Sequence, residues 1–305
     1  MTVRFIVNPV AGRGRTQKLW PDLRHSIPAG TEFDVVETTA PGAATEISRQ
    51  AAAEGISRVI AVGGDGTVSE AAAGLRGTHT ALGLIPLGSA CDLRRSVGLP
   101  KSPSEALTYA LTGQPKPMDV GLANGKAFVN VAGIGLDAEV AAEVNRRRDD
   151  AATGAWLYVK CLLRVLGRYR PSPVTLTIDG NRVEGKALMV AIGNAQYYGG
   201  GMRIVPTAQI NDGYLDVMLV GEFSVAGTLV LLPKVFSGSH RFHSRVTMYR
   251  CREALIETVA PLNVHVDGET AGSPPLRATV DEGALQMIAP LPKLSTVGAE
   301  PVPRA

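Results

Sequence analysis

A glycine-rich segment, residues 63–67 (GGDGT), carries the clearest chemical pattern in the chain. It follows the apolar run 59–62 and precedes a helix-like stretch that begins at Ser69. The pattern predicts a strand, a glycine turn and a helix N-terminus, where backbone amides and the helix dipole favour a bound phosphate. Asp65 lies among those amides. Its carboxylate either serves a metal ion and its water shell or holds the loop in shape.

Other turns of similar composition follow neighbouring predicted strands. Residues 8–14 (NPVAGRG) follow the predicted strand 3–7, and residues 86–92 (PLGSACD) follow the predicted strand 82–85. Neither contains the Gly-Lys-Ser/Thr end of a Walker A loop. Strands alternate with helices in this part of the chain, which predicts a parallel α/β sheet. We expect the loops at the carboxyl ends of its strands to converge on one ligand crevice.

The sequence pattern changes near Pro115, where short apolar runs separated by turn residues replace the alternation of predicted strands and helices. Many short strands at this spacing predict a β-sandwich or a related β-rich domain. The domain prediction is therefore an α/β domain over 1–122, a sandwich domain over 123–290 and a disordered tail over 291–305. The predicted strands of the second domain are 128–131, 174–178, 186–192, 215–220, 245–249, 254–258, 264–266 and 285–289.

Composition excludes several classes of protein. The chain has 305 residues, of which 45% are hydrophobic and 19% charged, as in soluble globular proteins. We expect no transmembrane span, since no stretch of about 18 apolar residues is free of charge or proline. We also expect no signal peptide, because the N-terminal residues 1–14 contain no apolar region of that kind. Cys91, Cys161 and Cys251 suggest neither disulfides nor zinc, which predicts a cytoplasmic location. A net charge of +3 is too small to indicate a nucleic-acid partner.

One predicted helix, residues 151–169, interrupts the β-rich region. It is broadly apolar and contains Trp156 and Tyr169, while Lys160, Arg164 and Arg168 make it basic. A basic amphipathic helix with aromatic residues can lie on an anionic bilayer. The alternative is a helix that packs on the sandwich and exposes a solvated basic face.

Two acidic turns in the second half could also do chemistry. In residues 206–216, backbone carbonyls and a carboxylate could hold Mg²⁺, although an ordinary Asp-Gly turn explains the same sequence. In residues 264–269, Asp267 and Glu269 flank a glycine, and one of them could take a proton from an alcohol. If this stretch is extended, both carboxylates point to the same face. If it turns at Asp-Gly, they diverge and only one reaches the alcohol.

Taken together, these segments resemble the bacterial soluble diacylglycerol kinase and sphingosine kinase family of lipid kinases. The GGDGT motif alone is shared with NAD kinases and phosphofructokinases, whereas the whole series, in the family's order, is far more specific. The matching segments are residues 8–14, 63–67, 124–137, 193–202, 212–216 and 267–269.

The resemblance implies a Rossmann-like α/β nucleotide domain, similar to that of NAD kinases and phosphofructokinases, followed by a β-sandwich domain. It implies transfer of the γ-phosphate of ATP to a lipid hydroxyl, that of diacylglycerol or a related lipid, in phospholipid metabolism. By match of motif, the residues that contact ATP are Asn8, Pro9, Val10, Ala11, Gly12, Thr38, Gly64, Asp65, Gly66, Thr67, Val68, Ser69, Glu70 and Ser89.

The same resemblance implies a structural Mg²⁺ held by backbone oxygens of Gln209 and Tyr214 and by the side chain of Asp212. It makes Glu269 the proton acceptor and Asp267 the second candidate, and it assigns Asp65 to the acidic network around the catalytic metal. The implied partner is a lipid at a membrane surface, at the inner face of the membrane. Peripheral membrane contact and a homodimer are both open.

One segment departs from the family pattern, which reads Pro-x-Gly-Thr-x-Asn-Asp after the fourth strand. Here Ser89 replaces the threonine and Cys91 replaces the asparagine. We expect retained kinase activity with altered preference, and loss of activity is the other outcome. The alternative functions are an NAD kinase-like enzyme and a catalytically impaired nucleotide-binding regulator on the same scaffold.

Overall fold

The computed structural model describes residues 2–147 and 154–292, which form two compact units. The first unit extends to Val120 and also takes in residues 282–292, while the second is Gly121–Asp281. Within the described ranges, none of the helices is long and apolar enough to cross a membrane.

The first unit alternates strands and helices around a parallel sheet with the strand order β2-β1-β3-β4, which confirms the predicted α/β architecture. The end of the last strand of the chain adds to this sheet through Gln286 and Met287, parallel to β4. The elements are β1 (Thr2–Val7), α1 (Ala11–His25), β2 (Glu32–Glu37), α2 (Ala43–Ala53), β3 (Arg58–Gly63), α3 (Asp65–Leu75), β4 (Ala81–Pro86), α4 (Asp92–Ser96), α5 (Pro103–Thr112) and β5 (Lys116–Ala123).

Burial explains why the central strands of this sheet are continuous apolar runs. Every residue of β4 is buried, as are residues 59–63 of β3, because helices cover both faces of a parallel sheet. Phe5 of β1 packs against the rings of Trp20 and Phe33 on one side of the sheet.

The second unit contains two antiparallel sheets. One has the strand order β12-β11-β10-β7-β14-β15, and the other includes β9, β8, β13 and the first part of β16. The elements are β6 (Lys126–Phe128), β7 (Val131–Gly135), α6 (Leu136–Arg146), α7 (Gly154–Leu166), β8 (Ser172–Ile178), β9 (Asn181–Ala187), β10 (Met189–Gly193), β11 (Leu215–Val220), α8 (Val225–Ser237), a 3₁₀ helix (Ser239–Phe242), β12 (Val246–Cys251), β13 (Glu253–Thr258), β14 (Val264–Val266), β15 (Glu269–Thr270) and β16 (Leu276–Met287).

Alternation along β10 shows how this unit is layered. Val190 and Ile192 join the core between the two sheets, where they meet residues of β8 and β13. Met189 and Ala191 point to the opposite face and join a second core with α6, α7 and α8. Successive side chains of a strand alternate between faces, so the six-stranded sheet has a sandwich core on one side and three helices on the other.

Several predicted boundaries in the second half were wrong. The predicted strand 128–131 spans a break between β6 and β7, because the N–H groups of Val129 and Asn130 donate to Asp267 instead of to a neighbouring strand. Residues 285–287 of the predicted strand 285–289 are the end of β16, which begins at Leu276, and residues 288 and 289 lie outside it. Helices α6 and α8 were not predicted at all. Of the predicted helix 151–169, residues 151–153 lie outside the described range, as do residues 293–305 of the predicted tail.

Candidate active site

The glycine loop between β3 and α3 presents a helix N-terminus, as predicted. Gly64 precedes α3 in an extended conformation, and no side chain caps the helix. Asp65 begins α3, and its Oδ1 accepts the N–H groups of Asp92 (2.6 Å) and Leu93 (3.2 Å) at the start of α4. The carboxylate therefore holds the loop after β4 and the start of α4, a contact that was not predicted from the sequence.

The loops after β1, β3 and β4 come together so closely that glycine is required at their contacts. A Cβ on Gly88 would lie 2.3 Å from the Cα of Gly64, and a Cβ on Gly12 would lie 2.3 Å from the carbonyl oxygen of Leu87. Asn8 Nδ2 also donates to Thr67 Oγ1 (3.0 Å), which joins the loop after β1 to the start of α3. The structure thus gathers these segments at the carboxyl edge of one sheet.

The remaining predicted nucleotide contacts lie in the same unit. The Thr38 N–H donates to the Val7 carbonyl (2.9 Å), so the loop after β2 also lies at this edge. Glu70 accepts the N–H groups of Gly42 (2.8 Å) and Ala44 (3.2 Å), which fixes the start of α2. Val10, Gly66 and Ser89 are exposed at the loops.

Cys91, which stands where the family pattern has asparagine, adopts a left-handed conformation with φ 52° just before α4. Asparagine tolerates this region better than most residues, which gives a backbone reason for the family's choice. The Cys91 Sγ donates to the Gly88 carbonyl at 3.4 Å, and burial raises the pKa of the thiol to about 12. At neutral pH this position therefore contributes a neutral, buried thiol to the loop.

The predicted magnesium site is a turn next to a buried cluster of charges. Asp212 Oδ1 accepts the Tyr214 N–H (3.1 Å), while Arg250 Nη2 lies 3.2 Å from Asp212 Oδ2 and 3.3 Å from Asp216 Oδ2. Burial raises the pKa of Asp216. The described residues contain no group of three His, Cys, Asp or Glu side chains able to hold a metal. The predicted donors, backbone oxygens of Gln209 and Tyr214 and the Asp212 carboxylate, are all oxygens, the ligand type that Mg²⁺ prefers, and their assignment to a metal stays a prediction.

The stretch with Asp267 and Glu269 turns sharply at Asp-Gly. Asp267 and Gly268 have φ values of 49° and 84°, and Val266 pairs with Glu269 across the two-residue hairpin that they form. Such positive φ values are typical of a type I′ turn with Asp-Gly. Of the two expected geometries, the structure has the one in which the carboxylates diverge.

The divergence gives the two carboxylates different surroundings. Asp267 accepts three backbone N–H groups, from Val129 (2.9 Å), Asn130 (2.9 Å) and Val131 (3.1 Å). It thereby ties the hairpin turn to the segment between β6 and β7. Glu269 lies on β15 and is exposed. Of the pair, Glu269 is the more exposed residue, whereas Asp267 is half-buried.

An apolar cavity of about 80 Å³ lies between the six-stranded sheet and its helices. Leu162 of α7 and Leu231 of α8 line it, and Asp137 and Tyr198 are among its few polar groups. Tyr158 also lines it, and a Cβ on Gly268 would lie 3.6 Å from the Tyr158 hydroxyl. The cavity therefore approaches the hairpin turn that carries Glu269.

A buried pair of side chains, Asp137 and His265, connects the cavity to this turn. His265 Nε2 lies 3.0 Å from Asp137 Oδ2, and its Nδ1 accepts the Gly268 N–H at 3.4 Å. The imidazole stacks on Tyr198, with the ring centroids 5.7 Å apart. Sequence reasoning gave these residues no role. Their positions at a helix start and two residues before Asp267 were the signal that could have found them.

Comparison with known proteins agrees with this geometry. Residues 2–123 match the model of the diacylglycerol kinase catalytic domain, and residues 130–289 match that of the YegS C-terminal NAD kinase beta sandwich-like domain. The diacylglycerol kinase of Mycobacterium tuberculosis (strain ATCC 25618 / H37Rv) is 33% identical over 300 residues, which cover 94% of this chain and 95% of that protein. That of Bacillus subtilis (strain 168) is 28% identical over 276 residues, 89% of this chain and 91% of that protein.

The chain is also similar to a solved structure over most of its length. The crystal structure of a putative diacylglycerol kinase from Bacillus anthracis str. Sterne superposes with a TM-score of 0.77 at 29% identity, covering 94% of this chain and 96% of that one. The resemblance and the two-part fold expected from the sequence are confirmed.

Proposed function

The chain belongs to the diacylglycerol kinase family, and from that membership we propose that it transfers the γ-phosphate of ATP to a lipid hydroxyl, most closely that of diacylglycerol. The observation that carries the proposal lies in the second unit. An apolar cavity approaches the turn that presents the exposed carboxylate of Glu269. A lipid alcohol needs both an apolar site for its chains and a base near its hydroxyl.

The first unit supplies the nucleotide site in this proposal. The uncapped N-terminus of α3 and the closely packed glycine loops offer backbone amides to the phosphates of ATP. Asp65 fixes these loops through its bonds to the start of α4. When bound, Mg²⁺ supplies neutralisation of the phosphate charge. Positioning of the nucleotide is the contribution of this unit.

In the transfer step, the lipid hydroxyl oxygen attacks the γ-phosphorus while the bond to the β,γ-bridging oxygen breaks, and ADP leaves. Glu269 accepts the hydroxyl proton as charge develops on the oxygen. Asp267 keeps the turn in place through its three amide contacts. The base and its support are thus two different carboxylates of one hairpin.

The test of this function is a panel of acceptors with γ-labelled ATP: diacylglycerol, a sphingoid base, a ceramide-like lipid, a glycolipid precursor and NAD. We expect label in diacylglycerol, at least tenfold above the other acceptors. Label in NAD alone would support the NAD kinase-like alternative. The reason to include NAD is the match to the YegS C-terminal NAD kinase beta sandwich-like domain. ATP binding without transfer to any acceptor would support the impaired regulator.

A buried His–Asp pair is expected to position the turn for this reaction. His265→Phe retains a ring against Tyr198 but loses both nitrogen contacts, whereas His265→Gln retains a donor for Asp137. We expect kcat of His265→Phe to fall by roughly 10- to 100-fold, because small displacements of a base are costly. His265→Gln should retain much more activity, and KM for ATP should change little in both. Equal kcat values in the two variants would remove the pair from this role.

The proposed magnesium site can be tested by thermal stability, without measuring turnover. We expect Mg²⁺ to raise the Tm of the wild type, because a ligand that binds only the native state stabilises it by mass action. Asp212→Ala should reduce that rise, since the variant loses the only carboxylate assigned to the site. The measurement is a thermal melt with and without Mg²⁺, with Ca²⁺ for comparison. A wild-type Tm that ignores Mg²⁺ would argue against the site.

The proposed place of action is the inner face of the membrane, with the enzyme in the cytoplasm. The support is the basic, partly apolar α7, whose Lys160 and Arg164 are exposed. A basic amphipathic helix of this kind can lie on anionic lipid.

A further inference from the structure

Helix α8 is apolar on nearly its whole circumference, although only part of it is buried. Leu231 and Val235 face the cavity, whereas Val225, Val230 and Phe236 are exposed by 43%, 70% and 41%. A helix that is apolar all round is normally covered on every side. Its outer face is therefore a surface that still requires an apolar environment.

Exposed apolar side chains are concentrated on this helix and its neighbours. Among the described residues, nine large hydrophobic side chains are exposed, and seven of them lie on α7, α8 and the 3₁₀ helix after α8. Single exposed hydrophobics are ordinary, but a cluster of this kind marks an interaction site. The seven, which we call the outer apolar surface, are Trp156, Leu163, Val225, Leu229, Val230, Phe236 and Phe242.

The outer apolar surface is carried by the same helices that enclose the cavity. Tyr158 and Leu162 of α7 line the cavity from one side, and Leu231 and Leu232 of α8 line it as well. The outer apolar surface and the cavity therefore suit an apolar partner that also contains the molecule that binds in the cavity.

The helices that carry this surface bear charges of one sign. Residues 154–170 contain Lys160, Arg164, Arg168 and Arg170 and no acidic residue. Residues 224–245 contain Lys234, Arg241 and Arg245 and no acidic residue. Four and three basic residues give seven positive charges, which attract an anionic surface and oppose pairing with a second copy of the same face.

We infer that α7, α8 and the 3₁₀ helix form one docking surface for a bilayer that contains anionic phospholipid. The outer apolar side chains enter the interfacial region of the bilayer, and the basic side chains lie at its headgroups. The lipid acceptor then reaches the cavity from the bilayer directly. The inference rests on the proposed function for its purpose, but not for its test, because binding to vesicles needs neither ATP nor turnover.

The test is flotation of the full chain with vesicles of phosphatidylcholine, with and without phosphatidylglycerol. The triple variant Leu229→Ser, Val230→Ser, Phe242→Ser should bind phosphatidylglycerol vesicles at least about tenfold more weakly. Arg164→Glu with Arg168→Glu should weaken binding by roughly 30-fold, and high salt should do the same to the wild type. Val259→Ser is the matched control, since Val259 is 90% exposed but follows β13 of the other sheet.

The outcomes separate this inference from the proposed function. All variants should phosphorylate a short-chain diacylglycerol, dispersed below its micelle concentration, at the wild-type rate, because none of the changed residues lines the cavity. Vesicle binding by the triple variant equal to that of Val259→Ser would overturn the docking surface. A wild-type dimer that the triple variant converts to monomer would also overturn it, in favour of a second copy. Failure of transfer by the wild type would instead count against the kinase.

Discussion

Glu269→Gln should lower turnover by a factor of about 100 or more, the usual scale for loss of a general base. The substitution keeps the size of the side chain and most of its hydrogen bonding, but the amide cannot take the proton of a lipid alcohol. Glu269 is exposed on β15, so the change should alter the free energy of unfolding by less than about 0.5 kcal/mol. The affinity for ATP should barely change, since the predicted nucleotide contacts lie in the first unit.

Asp267→Asn is the matched control for this experiment. The asparagine keeps only one acceptor oxygen for three backbone N–H groups, so we expect a loss of stability of about 2 kcal/mol. Its turnover should fall as well, but together with its Tm, and the Mg²⁺ dependence should shift. If Glu269→Gln turns over normally while Asp267→Asn is inactive with a native Tm and an unaltered Mg²⁺ response, the two assignments must be exchanged.

Asp65→Ala and Gly64→Val should each abolish ATP-dependent transfer in a protein that remains folded. Asp65→Ala removes the acceptor for two N–H groups at the start of α4, at a cost in stability of roughly 0.5 to 2 kcal/mol. Gly64→Val adds bulk where even a Cβ would lie 3.3 Å from the Cα of Gly88. Both changes disturb the amides that are expected to approach the phosphates.

Asp65→Asn separates the two functions proposed for this carboxylate. Asparagine keeps an Oδ1 that accepts the N–H groups of Asp92 and Leu93, but it carries no charge for a metal. Transfer lost in Asp65→Asn with a native Tm would indicate the metal, whereas transfer retained there and lost in Asp65→Ala would indicate the loop. Near-normal turnover in both Asp65→Ala and Gly64→Val would remove the glycine loop from the mechanism. Isothermal titration with ATP measures the accompanying loss of affinity.

The first unit could be predicted closely because its signals are local. The sequence predicts a helix over residues 43–53, which are the observed bounds of α2. It also offers Ser102 and Ser104 as caps of α5, and Ser102 accepts the Glu105 N–H. Apolar runs bounded by glycine turns need no distant partner to be recognised. The contact of Asp65 with the start of α4 could not be predicted from local patterns, because it joins residues 27 positions apart.

The second unit shows where local patterns fail. The sequence of helix α8 is an apolar stretch interrupted by Pro233 and Lys234, and it has few of the polar residues that would mark an amphipathic helix. The Asp137–His265 pair depends on contacts across 128 positions of sequence. The two roles of Asp267 and Glu269 could be posed from the sequence, but only the positive φ values at Asp-Gly decide between the two geometries.

The most direct test of the account measures transfer of label from γ-labelled ATP to diacylglycerol in mixed micelles, with wild type and Glu269→Gln side by side. We expect labelled phosphatidate from the wild type. From Glu269→Gln we expect a rate lower by about 100-fold or more, at unchanged Tm and ATP affinity. Equal rates from the two proteins would contradict the assignment of the base, and absence of labelled lipid from the wild type would contradict the lipid kinase itself.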